Sequence, residues 1–79
     1  MLTAKQVLDE YFLDARCMLL EIGATLDRHD AACRREGAGA RAADPRLEKV
    51  YQSLGILADP SAGPNRAEQL LNLFSDPVD

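Results

Sequence analysis

The sequence is poor in the residues that stabilise many small proteins. It contains no tryptophan, two tyrosines, two phenylalanines and two cysteines among 79 residues. If one helix holds both Cys17 and Cys33, they lie about 24 Å apart, far beyond the reach of a disulfide within the chain. The two cysteines therefore fit reduced, buried thiols of a reducing compartment.

Positive charge is also scarce. Nine Lys and Arg residues stand against thirteen Asp and Glu residues, which gives a net charge of −4. Nucleic-acid binding needs a basic face that neutralises phosphates, so the charge balance argues against it. The basic residues concentrate in one cluster: Arg34, Arg35, Arg41 and Arg46. We interpret them as solvated cations, the first two complementing a helix dipole, with phosphate contact as the alternative.

The chain lacks a long hydrophobic run. A membrane span needs about 18 or more consecutive apolar residues. The nearest window, Tyr11 to Leu26, is interrupted by charged residues. The start of the chain does not resemble a signal peptide, because Lys5 and Asp9 precede any apolar run. The sequence therefore predicts no membrane partner and a cytoplasmic location.

The sequence does contain one long amphipathic helix near its start. Its apolar residues follow one another at steps of four and three, the spacing of a helix-packing seam. The predicted interface consists of Leu8, Phe12, Ala15, Leu19, Ile22 and Leu26. A second apolar row, on a neighbouring face, consists of Leu13, Cys17, Leu20 and Ala24. A helix with two apolar faces needs more than one neighbour.

Local signals mark where this helix begins and ends. Thr3 as the N-cap and Gln6 three residues later form a capping box. Gly37 suits the left-handed position that follows a helix C-terminus. Gly23 inside the helix costs roughly 1 kcal/mol relative to Ala, which indicates either a kink or a close crossing.

Two shorter helices follow, and no segment alternates as a strand should. Asp44 and Pro45 form the start of the second helix, and Gly55 either stops it or weakens its last turn. Asn65 and Glu68 form a capping-box-like pair for the third. The predicted boundaries are helix about 3–36, loop 37–44, helix about 45–57, loop 58–65 and helix about 66–75, within a single domain of residues 1–79.

The lengths of the helices predict association. At about 1.5 Å per residue the first helix spans roughly 50 Å, and the others span about 20 Å and 15 Å. The short helices cannot cover the long one, and large exposed apolar surfaces usually mark interfaces. We therefore predict an all-α fold in which two chains form a two-fold homodimer, with antiparallel long helices and short helices completing the bundle. The alternatives are a monomeric three-helix bundle with a protruding or broken first helix, and a complex with another helical protein.

Few residues suggest chemistry. His29 and Cys33 share one helix face and could ligate a metal only with help from another chain. Glu10, Asp14 and Glu21 resemble the carboxylates of di-metal bundles, but neither glutamate is followed three residues later by the expected histidine. No nucleophile elbow or phosphate-binding loop is present in the sequence. The sequence thus predicts a noncatalytic interaction module without a cofactor, and a metal-binding bundle is the alternative.

Four short segments carry a resemblance to known proteins. They are Tyr11-Phe-Leu-Asp-Ala-Arg16, Leu26-Asp-Arg28, Arg66-Ala-Glu68 and Leu73-Phe-Ser-Asp-Pro77. In these segments the chain resembles small uncharacterised bacterial all-helical proteins. The resemblance implies a helical fold and a bacterial source, and it assigns no catalytic residue.

Overall fold

The computed structural model describes residues 1–37, 44–61 and 63–75, and these ranges contain helices and no strand. Helix α1 spans Ala4–Glu36, α2 spans Pro45–Ala58 and α3 spans Arg66–Ser75. The predicted all-α class, with one long helix followed by two short ones, is confirmed. Residues 38–43 of the predicted loop 37–44 and the segment after Ser75 lie outside the described residues.

Helix α1, 33 residues long, begins with the predicted capping box. The Gln6 backbone N–H donates to Thr3 Oγ1 at 3.2 Å, and the Thr3 backbone N–H donates to Gln6 Oε1 at 2.8 Å. Lys5 lies in the first turn, and its Nζ is 2.7 Å from Oδ2 of Asp9 in the next turn. The two bonds between Thr3 and Gln6 satisfy backbone donors that the start of a helix leaves without partners, so the start of α1 is encoded locally.

The end of α1 differs in detail from the prediction. The Gly37 backbone N–H donates to the Cys33 carbonyl oxygen at 2.9 Å and caps the helix. Gly37 has φ 103° and ψ 175°. This region of backbone space is essentially restricted to glycine, but it is not the left-handed helical conformation that the sequence predicted. The prediction is therefore right about the need for glycine and wrong about the conformation.

Gly23 does not interrupt α1, which continues through it. Among the described residues, no atom outside the local helix backbone lies within 4 Å of the place where a Gly23 Cβ would stand. A close crossing at Gly23 by a second chain therefore stays a prediction.

Helix α2 starts as predicted and extends past Gly55. Asp44 Oδ1 accepts from the Arg46 backbone N–H at 2.9 Å, and Pro45 occupies the first turn. Gly55 lies within the helix, which ends at Ala58. Because α2 is 14 residues long, a single glycine weakens it without stopping it.

Helices α2 and α3 form a helical hairpin with one side-chain hydrogen bond at its open end and another at its loop. At the open end, Lys49 Nζ donates to the Leu73 carbonyl oxygen at 2.8 Å. At the loop, Arg66 Nη2 donates to the Asp59 carbonyl oxygen at 2.7 Å. Asp59 Oδ1 also accepts from the Ser61 backbone N–H at 2.9 Å and from the Ser61 hydroxyl at 2.7 Å. Side chains of Asp59, Ser61 and Arg66 thus form local hydrogen bonds in the described parts of this loop.

The start of α3 differs from the predicted pairing of Asn65 with Glu68. Asn65 Oδ1 accepts from Gln69 Nε2 at 2.8 Å, and the Asn65 carbonyl oxygen accepts from the Gln69 backbone N–H at 3.0 Å. The Asn65 side chain therefore contacts a residue one position beyond the predicted one, across a full helical turn.

Candidate interface on helix α1

The six residues predicted to form an interface lie along one face of α1, because the helix runs without interruption through all of them. We call this row the α1 seam: Leu8, Phe12, Ala15, Leu19, Ile22 and Leu26. Its exposed members are Leu8 at 65%, Phe12 at 58% and Leu19 at 59% of their maximum accessible area. Its half-buried members are Ala15, Ile22 and Leu26. The exposed part of the seam thus lies in the first two thirds of the helix.

The described residues provide no closed hydrophobic core. No apolar side chain among them is fully buried, and the one buried residue is Ser53. Its hydroxyl donates to the Lys49 carbonyl oxygen at 2.8 Å, a bond within α2. Large apolar side chains are usually the most buried residues of a folded protein. In the described residues the large apolar side chains of α1 are instead exposed.

The α1 seam has two different edges. Asp9 and Arg16 each directly follow a seam residue, so they line one edge. Tyr11 and Met18 each directly precede a seam residue, line the opposite edge and are 51% and 57% exposed. With 3.6 residues per turn, these four residues are the ones nearest the seam, so it is bordered by charges of both signs on one side and by apolar side chains on the other. Leu13 and Leu20 also follow seam residues, and Asp14 and Glu21 also precede them, but these four lie further round the helix. Hydrophobic periodicity alone did not single out the four residues nearest the seam, although their position next to the seam residues identifies them.

A second apolar row also faces solvent. Leu13 is 70% exposed and Leu20 is 58% exposed, and both lie away from the seam. Cys17, which lies between them in sequence, is exposed and forms no disulfide among the described residues. The prediction that the Cys17 thiol is buried is therefore wrong. Cys33 is half-buried and likewise forms no disulfide among the described residues.

His29 and Cys33 come together as their spacing predicts. Cys33 Sγ lies 3.6 Å from His29 Nδ1, and both residues are half-buried. Glu10, Asp14 and Glu21 are exposed on the same helix. Within the described ranges, no three His, Cys, Asp or Glu residues form a group that could hold a metal ion. A structural zinc site normally needs four ligands, so the His29–Cys33 pair supplies at most half of one.

The members of the basic cluster lie in different local settings. Arg34 and Arg35 occupy the last turn of α1, where cations complement the helix dipole. Arg46 Nε lies 3.0 Å from both carboxylate oxygens of Asp44. Asp44 raises the pKa of Arg46 above its ordinary value, first through this hydrogen bond and then through its charge. Arg46 is thus paired with a carboxylate, and Arg41 lies outside the described residues.

The helices were also assessed as possible membrane spans. None of the helices in the described ranges combines the length and the apolar composition that a bilayer crossing requires.

Comparisons with protein families, curated proteins and solved structures found no match to this chain. No relative therefore contributes a function, and the α1 seam is interpreted from its own geometry.

Proposed function

We propose that this protein is a noncatalytic helical module that associates with a second copy of itself through the α1 seam. The observation that carries the proposal is the absence of a fully buried apolar side chain among the described residues, combined with an unbroken helix of 33 residues. In this proposal α2 and α3 complete the helical bundle.

The stability of an isolated helix favours a partner for α1. Helices that lack tertiary packing are marginal in water, because propensity and capping contribute little. The Thr3 cap is worth only about 1 kcal/mol. Packing of the apolar face must therefore supply most of the stability of α1.

The exposed seam residues can supply stability on the required scale. Each large apolar side chain contributes about 1.5–3 kcal/mol when it becomes fully buried. A two-fold pair buries Leu8, Phe12 and Leu19 twice, once from each copy. The free energy gained by burying these six side chains is comparable with the roughly 4–15 kcal/mol that association costs in lost translational and rotational freedom.

The decisive experiment compares two neighbouring leucines. Leu19 lies in the seam and Leu20 lies outside it, yet they are 59% and 58% exposed in the single chain. We expect the natural protein to sediment at twice the 8.6 kDa of one chain. Leu19→Asp should shift the mass to that of the monomer, because it places a charge in the interface. Leu20→Asp should leave the dimer in place.

Circular dichroism of both variants is the control for unfolding. Because α1 without a partner is marginally stable, part of the helical signal should disappear together with the dimer. If Leu19→Asp abolishes the helical signal of the whole chain, the pair Leu19→Ala and Leu20→Ala replaces it, because alanine keeps the helix propensity high. A monodisperse natural monomer that retains its helix content at high concentration contradicts the proposal. Equal effects of the two leucine variants on the mass contradict the assignment of the seam.

The alternative is a metal-binding bundle, which the 3.6 Å contact between His29 and Cys33 favours. Two copies would have to bring two such pairs together to complete four ligands. That function requires stoichiometric zinc and a dimer that dissociates when a chelator is added or when Cys33→Ser is introduced. Association through the α1 seam should be unchanged by both treatments.

A further inference from the structure

We infer that the two copies associate antiparallel in one register, in which Asp9 of each copy faces Arg16 of the other. This inference rests on the proposed self-association and specifies the orientation and alignment of the partner. It follows from the order of residues in the α1 seam and from the charges along its edge.

The two-fold axis determines which edges meet. In an antiparallel pair related by an axis perpendicular to the helices, the same edge of the seam in both copies comes together. The edge with Asp9 and Arg16 therefore meets itself, and so does the edge with Tyr11 and Met18. In a parallel pair, unlike edges meet, and the two charged residues face the apolar edge instead.

Packing within the seam selects the alignment. When Leu8 lies opposite Leu19 of the second copy, Phe12 lies opposite Ala15 of the second copy. A large side chain then fits against a small one, as interdigitating layers require. The same alignment brings Leu8, Phe12 and Leu19, the most exposed seam residues, into the contact.

The edges are complementary in this alignment. Asp9 lies between the layer of Leu8 and the layer of Phe12, directly beside Arg16 of the second copy. The two-fold axis generates a second, identical Asp9–Arg16 pair. Asp9 is held at its position by Lys5, whose Nζ lies 2.7 Å from Asp9 Oδ2. On the other edge Tyr11 lies beside Met18 of the second copy, a favourable contact between sulfur and an aromatic ring.

Other antiparallel alignments are less favourable. A shift by one heptad towards the C-terminus places Arg16 beside Arg16 of the second copy. A shift by one heptad towards the N-terminus places Asp9 beside Asp9 of the second copy. Like charges that meet at an interface disfavour both alignments. A larger shift, centred near Gly23, pairs Arg16 with Asp30 but leaves Leu8 and Phe12 uncovered. Only the proposed register among these satisfies both the charges and the exposed apolar residues.

The register predicts an unusual response to charge reversal. In Asp9→Arg two arginines face each other, and in Arg16→Asp two aspartates do. Each variant alone should dissociate about tenfold or more readily than the natural protein, because like charges meet twice. An equimolar mixture of the two variants should regain the dimer mass, since both cross-chain pairs then have opposite charges. Sedimentation of each variant and of the mixture measures this.

The controls use charges that lie off the seam. Glu10→Arg reverses a charge next to Asp9 in sequence, on the side of α1 away from the seam, and should leave the association unchanged. Asp9 and Arg16 are exposed in the single chain. Because α1 without a partner is only marginally stable, part of the helical signal of circular dichroism should be lost when a variant dissociates and regained when the two variants are mixed. A variant that loses the helical signal of the whole chain is replaced by Asp9→Asn or Arg16→Gln, which should weaken each homodimer. Mixing these two neutral variants restores one of the two cross-chain pairs and should recover the dimer in part.

The outcomes separate the inference from the proposed function. If Asp9→Arg stays dimeric while Arg16→Asp dissociates, and Asp30→Arg in the same chain as Arg16→Asp restores the dimer, the helices align near Gly23 and the inferred register is wrong. If neither reversal alters the mass although Leu19→Asp dissociates the protein, the copies do not meet along the charged edge and the inference is again wrong. In both cases self-association stands. A natural protein that is monomeric at high concentration overturns both.

Discussion

Helix α1 and the α2–α3 hairpin differ in the reach of their hydrogen bonds. In α1 the side-chain bonds at Thr3 and Lys5 join residues within one turn. In the hairpin, Lys49 reaches the carbonyl oxygen of Leu73 on another helix. The hairpin thus contains a tertiary contact that sets the distance between its helices. Helix α1 has well-formed local contacts but exposes large apolar side chains, which teaches that local signals can encode a helix without burying its apolar face.

The strongest test of this contrast is dilution of the full chain. Amide hydrogen exchange would be measured above and below the concentration at which the dimer dissociates. Protection of amides along the α1 seam should fall by about a hundredfold or more on dilution, because an unpacked helix is only marginally stable. Amides of the α2–α3 hairpin should lose less protection on dilution, because the hydrogen bonds between its helices do not involve a second copy. Equal protection of α1 at both concentrations would break the contrast.

The two lysines allow a matched comparison of intermediate size. Lys49→Gln removes a charged donor from the Leu73 carbonyl oxygen and should lower the free energy of unfolding by about 1.5–3 kcal/mol. Lys5→Gln removes an exposed pair within one turn and should cost only about 0.3–0.5 kcal/mol. Urea denaturation followed by circular dichroism at one fixed protein concentration would measure both. A larger effect at Lys5 than at Lys49 would reverse the assignment of local and tertiary contacts.

The smallest expected effect comes from two glycines inside helices. Gly23 in α1 and Gly55 in α2 both have open space where a Cβ would stand. Substitution by alanine should therefore stabilise the protein by about 0.5–1 kcal/mol at either position through helix propensity. Thermal unfolding and the dimer mass would be measured for each variant. If Gly23→Ala weakens the dimer while Gly55→Ala does not, a second copy approaches Gly23 closely.

The ends of the helices were predictable because the signals are local. Thr3 with Gln6, and Asp44 with Pro45, fix the starts of α1 and α2 through contacts within a few residues. Local sequence also predicted that position 37 requires glycine. It did not predict the ψ angle of Gly37, because the sequence does not determine the direction in which the chain leaves the helix.

Contacts between helices were not predictable in the same way. The bond from Lys49 to Leu73 depends on how α2 and α3 pack, and a single sequence does not reveal that packing. The spacing of the α1 seam did predict which residues share a face, since it needs only helical periodicity. It could not predict how exposed each residue is. Hydrophobic periodicity also does not identify the charged edge, because the proposed pairing of Asp9 with Arg16 depends on the position of a second copy.

The position of Cys17 affects how the protein should be handled. Its thiol is exposed and lies on the side of α1 away from the seam. In a dimer that associates through the seam, the two Cys17 thiols would lie on outward surfaces. A disulfide between Cys17 residues would therefore join two dimers and not the two chains of one dimer. Air exposure should therefore produce covalent polymers of growing length, and a reductant should keep the particles uniform.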